Sequence, residues 1–410
     1  MPHQPRATEQ EEPSAEISDL PPDGGRRSGK LLLLLVSIAL SVLLFLVLDF
    51  IRSAAIRRSA NANLKLSSCT VQDPVRHHAF RPNCHSIQQW GGDWYEFYTN
   101  SLGFRDDRIR EVPLTDPKPR ILLLGDSFTE GKIAWRDSFA GRITVHFPQY
   151  DFLNGGTYSY APSNYLNVGR KVLAAGVDID EVIVFIDLSD VQDEAAYYRD
   201  VDASGAVAGP LRGQRWVMSP YASWRIRIAK YLMLTNSVIG FFERWVISHG
   251  YFHLPTAALG DTFDMERSAW TYRKVNETDP SYRGYAPLGM EGGIAKEKAK
   301  MDLLWQELAK RNIPISVVVY PYPAQLVHDS VGSRQVRMWR EWCDGTCKRF
   351  VSVFPEFFAV KEQCPKGQPG CWYPKLFLFG DMHYSAGGNA LVADAVIQNL
   401  TQEPPVKHQP

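Results

Sequence analysis

A chain of 410 residues can hold one large domain or two ordinary ones, and an apolar content of 45% supplies a substantial core. Its 45 basic residues balance 45 acidic ones, so no polyanion-binding surface is implied and nucleic acid drops out as a partner class.

Residues 1–30 are polar and rich in Pro and Glu, which predicts a disordered tail. From Leu31 to Leu48 only Ser37 and Ser41 interrupt an apolar run, long enough to predict a transmembrane helix over 31–50. A cleavable signal peptide is the rival reading. Ala60-Asn61-Ala62 has the small-x-small form, but it lies beyond Arg52, Arg57 and Arg58, and the apolar run is longer than a signal peptide needs. Basic residues flank the run on both sides, so charge does not orient it. The cysteines do. All six follow the helix as close pairs, Cys69 and Cys84, Cys343 and Cys347, Cys364 and Cys371, which suggests disulfides in an oxidising compartment. Sequential pairing is only the simplest connectivity, and reduced thiols or a zinc site are the competing readings. The lack of His at ligand spacing beside the Cys pairs argues against zinc, and no cofactor motif is present. The expected topology is single-pass in a cell membrane, with the globular part on the extracytoplasmic side.

Residues 51–99 read as a stalk and approach segment ending in Trp90-Gly91-Gly92-Asp93-Trp94-Tyr95, aromatics that suit either a carbohydrate surface or the edge of a core. A domain from 100 to 400 follows. Its first strong signal is Ile121-Leu122-Leu123-Leu124-Gly125-Asp126-Ser127, a buried parallel strand ending in a tight turn that exposes Ser127 where a helix begins. Phe139, Ile143 and Phe147 predict a crossover helix over 128–147. Tyr150 to Leu153 reads as a short strand, and Asn154-Gly155-Gly156 after it allows either close approach to a ligand or a simple turn. A helix over 162–175 leads to the apolar run Glu181 to Ile186, which ends in Asp187-Leu188-Ser189-Asp190. Residues 197–290 break the rhythm and read as an insertion, in which Ser223 to Ser248 forms an amphipathic helix. Packing on the main core is the expectation for it; a lid or membrane contact is the alternative. Further units follow: a helix around Met301, Leu304 and Leu308, a strand from Ile315 to Tyr320, a helix over 334–348, an apolar stretch from Phe350 to Phe354, a strand at Leu376 to Phe379, and a final helix from Ala386 to Leu400 before a tail at 401–410. Repeated strand–helix units predict a mainly parallel sheet with helices on both faces.

Serine becomes a nucleophile only beside a base, and the base needs an orienting group. Asp381-Met382-His383 offers both, its two side chains falling on one side of an extended segment. With Asn100-Ser101-Leu102-Gly103-Phe104-Arg105-Asp106 upstream, the block Gly125-Asp126-Ser127-Phe128-Thr129-Glu130-Gly131 resembles the entry to SGNH (GDSL-type) hydrolase domains, and Gly156, the Ser189 region and Asp381/His383 follow in that family's order. The Asp-x-His spacing, followed by an aromatic residue, Ser and Gly, is similar to the alginate-acetylation type of that superfamily. The resemblance implies a three-layer, flavodoxin-like α/β fold, Ser127, His383 and Asp381 as catalytic residues, and an oxyanion hole at Ser127 and Gly156. It also implies O-acetyl groups of extracytoplasmic carbohydrate as substrate, with a membrane-bound acyl donor protein as partner if the enzyme is a transferase. The third block departs from the pattern. Ser189-Asp190, with Asp187 two residues before, stands where Asn-Asp is usual; an ionised carboxylate cannot donate to an oxyanion, whereas the Ser189 hydroxyl can. Esterase and O-acyltransferase both fit, as do a lipid ester hydrolase and a non-catalytic, membrane-tethered carbohydrate-binding or assembly protein.

Overall fold

The computed structural model describes residues 24–64, 69–90, 93–202, 205–209, 224, 227–228, 231–248, 262–273, 284–365, 370–378 and 381–407. Helix α1 (Gly24–Leu64) contains the 27-residue stretch Gly29–Ala55, whose most apolar 18-residue window has a mean hydropathy of 3.2 and is not buried. At 1.5 Å per residue it is about 40 Å long, more than a bilayer's hydrocarbon core. It begins inside what the sequence predicts to be tail; the rest of that tail, residues 1–23, lies outside the described residues.

Beyond α1, half of the expected stalk is already sheet. Strands β1 (Thr70–Asp73) and β2 (His77–Phe80) form an antiparallel pair, and β3 (His85–Trp90) and β4 (Asp93–Thr99) join the main sheet through β5 (Arg105–Asp106). Tyr95 and Phe97 alternate inward onto Phe80 and the Cys69–Cys84 disulfide, which gives this region a small core of its own.

Strands β6 (Arg120–Leu124), β7 (Asp151–Asn154), β8 (Glu181–Ile186), β11 (Ile315–Val319) and β12 (Arg349–Ser352) are parallel; β9 (Arg199–Asp200) and β10 (Val207–Ala208) make a separate hairpin. The sheet order is β12-β11-β8-β6-β7-β5-β4-β3. Its parallel part runs 5-4-3-1-2, the flavodoxin-like arrangement, so the switch point falls between β6 and β8. Both strands are fully buried, which is why they read as continuous Ile, Leu and Val.

Where one crossover helix is expected, the chain instead forms α2 (Ser127–Glu130), a turn and α3 (Phe139–His146), because Gly131 leaves the helix at φ +83°. Then come α4 (Pro162–Ala174), α5 (Asp190–Gln192), α6 (Met233–Ser248), α7 (Thr262–Tyr272), α8 (Gly289–Ala309), α9 (Pro323–His328), α10 (Arg334–Cys343), α11 (Phe354–Glu362), α12 (Tyr373–Leu376) and α13 (Ala386–Gln402). Helices α3 and α13 pack together on one face, α4 and α8 on the other, giving three layers. The predicted strand at Leu376 is instead the end of α12 followed by a single bridge, Phe377 to Tyr384. Pro374 favours a helical first turn there, and Phe377 packs among Trp372, Tyr373 and Phe357. Disulfides join Cys69–Cys84, Cys343–Cys347 and Cys364–Cys371, the sequential pairing. The tail is also tied: Lys407 Nζ meets Asp178 at 2.6 Å and Asp180 at 3.0 Å.

Candidate active site

Strand β6 hands the chain to Gly125, Asp126 and then Ser127 at the first position of α2. The turn is tight enough that a Cβ on Gly125 would sit 2.0 Å from Thr129 Oγ1, so only glycine fits. Asp126 caps α2, its Oδ1 accepting from Phe128 N–H at 2.9 Å. The Ser127 N–H lies ahead of the helix's own hydrogen bonds, at the carboxyl end of β6.

His383 and Asp381 reach this point from the other end of the chain. They lie in a turn rather than the expected extended segment: His383 N–H donates to Asp381 Oδ1 at 2.9 Å, so the carboxylate closes the loop on its own backbone. The same oxygen accepts from His383 Nδ1–H at 2.6 Å, which leaves Nε2 unprotonated to accept the Ser127 hydroxyl at 2.8 Å. The Tyr384-Ser385 step then serves the fold. Ser385 Oγ caps α13 by accepting from Gly387 and Gly388 N–H, and Gly387 is needed because a Cβ there would lie 2.2 Å from Lys375 O.

Three side chains that the sequence left unassigned hold this relay. Trp90, at the end of β3, donates its indole N–H to Asp381 Oδ2 at 2.6 Å and sets its ring edge-on to His383 at 5.2 Å. Phe128 stacks on the imidazole at 4.8 Å. Tyr373 fixes the Asp381 backbone, its hydroxyl donating to Asp381 O at 2.9 Å and accepting from Asp381 N–H at 3.1 Å. Burial pushes the Asp381 carboxyl up, but the His383 charge and the hydrogen bonds from His383 and Trp90 outweigh it and hold the group below its ordinary value.

The residues expected to form the oxyanion hole are placed differently. Gly156 N–H donates to Asn154 Oδ1 at 3.0 Å, and Asn154 Nδ2 donates to Thr129 O at 2.8 Å. A Cβ on Gly156 would lie 2.6 Å from Glu130 N. Glycine is required there so that the loop can pack against α2, and its amide is already engaged. Ser189 is buried, with its N–H on Asp187 Oδ1 at 2.5 Å, and it makes no hydrogen bond to the Ser127–His383–Asp381 group among the described residues. The third-block acids form a buried network instead. Tyr322 OH donates to Asp187 at 2.7 Å, Tyr165 OH to Asp190 at 3.1 Å, and Tyr320 OH to Asp126 at 3.4 Å. Burial, reinforced by the neighbouring Asp187, raises the Asp126 and Asp190 carboxyls well above their ordinary value. Among the described residues no cluster of three or more His, Cys, Asp or Glu could hold a metal ion.

No family profile matches the sequence, and no curated protein matches it. Solved structures are similar to it at low identity. One is a GDSL-like lipase from Bacteroides thetaiotaomicron, 8% identical with a TM-score of 0.34, covering 71% of this chain and 92% of that one. Another is a catalytic mutant of an acetylxylan esterase from Geobacillus stearothermophilus, 11% identical with a TM-score of 0.37, covering 72% and 100%. A third is an extracellular lipase from Streptomyces rimosus, 13% identical with a TM-score of 0.32, covering 68% and 98%.

Proposed function

We propose that this chain is a serine esterase or O-acyltransferase, anchored in a membrane by α1, that forms an acyl-enzyme on Ser127 from O-acyl groups, acetyl in size, of carbohydrate outside the cytoplasm. The observation that carries the reading is the continuous relay from Ser127 Oγ to His383 Nε2 and from His383 Nδ1 to Asp381, at 2.8 and 2.6 Å. Ser127 Oγ attacks the ester carbonyl while its proton passes to His383 Nε2. His383 then protonates the departing sugar oxygen, and Asp381 stabilises the imidazolium throughout. Water attacking the acyl-enzyme completes hydrolysis; a sugar hydroxyl completes transfer, with a membrane-bound protein as the source of the acyl group. The Ser127 N–H is the oxyanion donor on this reading. Gly156 would contribute only after releasing Asn154, and Ser189 only after its hydroxyl turns toward the substrate. The absence of one donor typically costs about 10²–10³ in turnover, so a slow reaction is expected. Three disulfides support the extracytoplasmic side, and the alginate-acetylation resemblance supports carbohydrate as substrate.

The test measures acetate release from an aryl acetate and from acetylated polysaccharide by the full chain in detergent, beside Ser127→Ala and His383→Ala. Turnover lost in both variants, with a serine-linked acetyl adduct in wild type, supports the reading. Sugar acceptors added next separate transfer from hydrolysis. The engaged Gly156 amide and the missing asparagine favour one other reading, a non-catalytic carbohydrate-binding protein. Folded wild type that neither releases acetate nor becomes acylated at Ser127 would establish that second reading over the first.

A further inference from the structure

Asp49 is a carboxylate one residue past the end of the apolar run of α1, and it is almost wholly buried, at 1% exposure. Charged groups at that position in a spanning helix need a partner. Here the partner is the start of α6. Asp49 accepts from Leu234 N–H at 3.0 Å, from Thr235 N–H at 2.7 Å and from Thr235 Oγ1 at 2.7 Å. Ser53, one turn further along α1, accepts from Met233 N–H at 3.0 Å and donates to Asp49 at 3.2 Å. Amides that a helix N-terminus leaves without partners are thus capped by side chains of another helix. Phe50 and Tyr231 stack beside the junction at 6.5 Å.

α6 leaves this point with one apolar face uncovered. Leu234, Val238, Phe241, Phe242 and Trp245 are 38–59% exposed, and at 100° per residue they share an arc about 100° wide. Asn236 and Gly240 are buried on the opposite side. The expectation that this helix packs its apolar face on the main core is therefore not met: Leu234, Val238, Phe241 and Phe242 stay exposed while Asn236 and Gly240 are buried. Leu234, Val238, Phe241 and Phe242 gathered in one exposed arc make a patch that needs an occupant. The arc begins where the exposed apolar surface of α1 ends, and α6 spans only about 24 Å. Exposed Arg52 stands at the same level of α1, where lipid phosphates would lie.

We propose that α6 lies in the membrane interface with the face formed by Leu234, Val238, Phe241, Phe242 and Trp245 among the lipid acyl chains, fastened to the spanning helix by Asp49. Amphipathic helices with large aliphatic and aromatic residues on one side bind bilayers in this way. The inference rests on the reading that α1 crosses the membrane. Its consequence is a second attachment point, so that the catalytic domain does not swing freely about a single anchor.

The experiment reconstitutes the full chain into phosphatidylcholine vesicles carrying a diazirine-labelled phosphatidylcholine and maps photo-adducts by mass spectrometry. Adducts are expected on 31–48 and on the Leu234, Val238, Phe241, Phe242 and Trp245 face, with Asn236 and Gly240 clear. Phe241→Ser/Phe242→Ser should lower α6 labelling at least tenfold and leave α1 labelling and aryl-acetate turnover unchanged. Asp49→Ala should lower α6 labelling alone. Adducts on α1 with none on α6 overturn the proposal while the anchor stands; adducts on neither overturn the anchor itself. Copy-to-copy cross-links on an α6 free of lipid adducts would show a second copy as the occupant and also overturn it. Undiminished α6 labelling in Asp49→Ala removes the fastening role.

Discussion

Replacing Trp90 by Phe deletes one hydrogen bond and keeps most of the ring. The deleted bond runs from indole N–H to Asp381 Oδ2 at 2.6 Å, while the ring still meets His383 from the edge and Lys132 Nζ lies 5.3 Å above it on another side. A hydrogen bond to a charged group contributes about 1.5–3 kcal/mol, and each ~1.4 kcal/mol expressed in the transition state is tenfold in rate. The loss is therefore about tenfold at the lower bound and about 150-fold if the whole bond is felt. It should fall on kcat. Trp90 acts through Asp381, which needs both oxygens fixed to keep Nδ1–H directed and the imidazole aligned with Ser127. KM for a small aryl acetate should stay within about twofold, as expected when only transition-state stabilisation is lost. Losing the donor should also raise the Asp381 carboxyl toward its ordinary value. The assay is steady-state hydrolysis across pH with the thermal midpoint measured on the same samples. Unchanged kcat in a variant with an unchanged midpoint would refute the positioning role, and a loss confined to KM would make Trp90 a substrate contact instead.

Burial lowers His78 from its ordinary 6.5 to about 4, and its ring pairs with Tyr158 O at 2.8 Å. The unfolded chain therefore takes up a proton between those values that the folded chain refuses, so stability falls as pH drops from 6.5 to 4, by about 3 kcal/mol. Urea midpoints at pH 7 and pH 4.5 should show this slope, and His78→Gln should flatten it. Opening the Cys364–Cys371 disulfide with a double Cys→Ser change should cost about 2.5 kcal/mol from loop closure alone. It should also lower kcat, since the bridge leads directly into α12 and Tyr373; a thermal scan with matched kinetics checks both. Asp126→Asn keeps a helix-capping acceptor and mimics a neutral carboxyl, so kcat is expected within about tenfold of wild type; a loss beyond 100-fold in folded protein would show that the ionised acid is needed.

The parallel strands were legible because β6, β8 and β11 are buried on both faces and carry nothing but large apolar side chains at their centres. Ser127 and the Asp381/His383 pair were legible because their chemistry sits in local motifs at strand and helix ends. Trp90 was not, since 291 residues separate it from Asp381 and only the pairing of β3 through β4 and β5 brings them together. His85-Ser86-Ile87-Gln88-Gln89-Trp90 has too weak an alternation to announce a strand. Gly156 is ambiguous for a related reason: a glycine after a strand signals close approach without saying to what, and the structure shows that α2 is one such neighbour. The strand expected from Leu376 misled because a short apolar run fits helix and strand equally: Leu376 ends α12, Phe377 makes only a single bridge, and Phe379 lies outside the described residues.

The acids around Ser127 bear on the proposed role of His383 as base. Ser127 Oγ has two acceptors in reach, His383 Nε2 at 2.8 Å and Asp126 Oδ2 at 3.1 Å. An ionised Asp126 would compete for the serine proton and set a negative charge beside the alkoxide forming during attack. Asp126, Asp187 and Asp190 form no ion pair among the described residues, and their donors are tyrosine hydroxyls, the Ser127 hydroxyl and backbone N–H groups. Several adjacent carboxylates cannot all stay ionised in such a site, so protons are retained, and burial with the neighbouring Asp187 raises Asp126 and Asp190 accordingly. On the proposed reading, a carboxyl raised in this way competes less for the serine proton, which favours the imidazole as its destination. Asp190 is buried and accepts from Tyr165 OH at 3.1 Å, and on the proposed reading the oxyanion is left to the amide of Ser127.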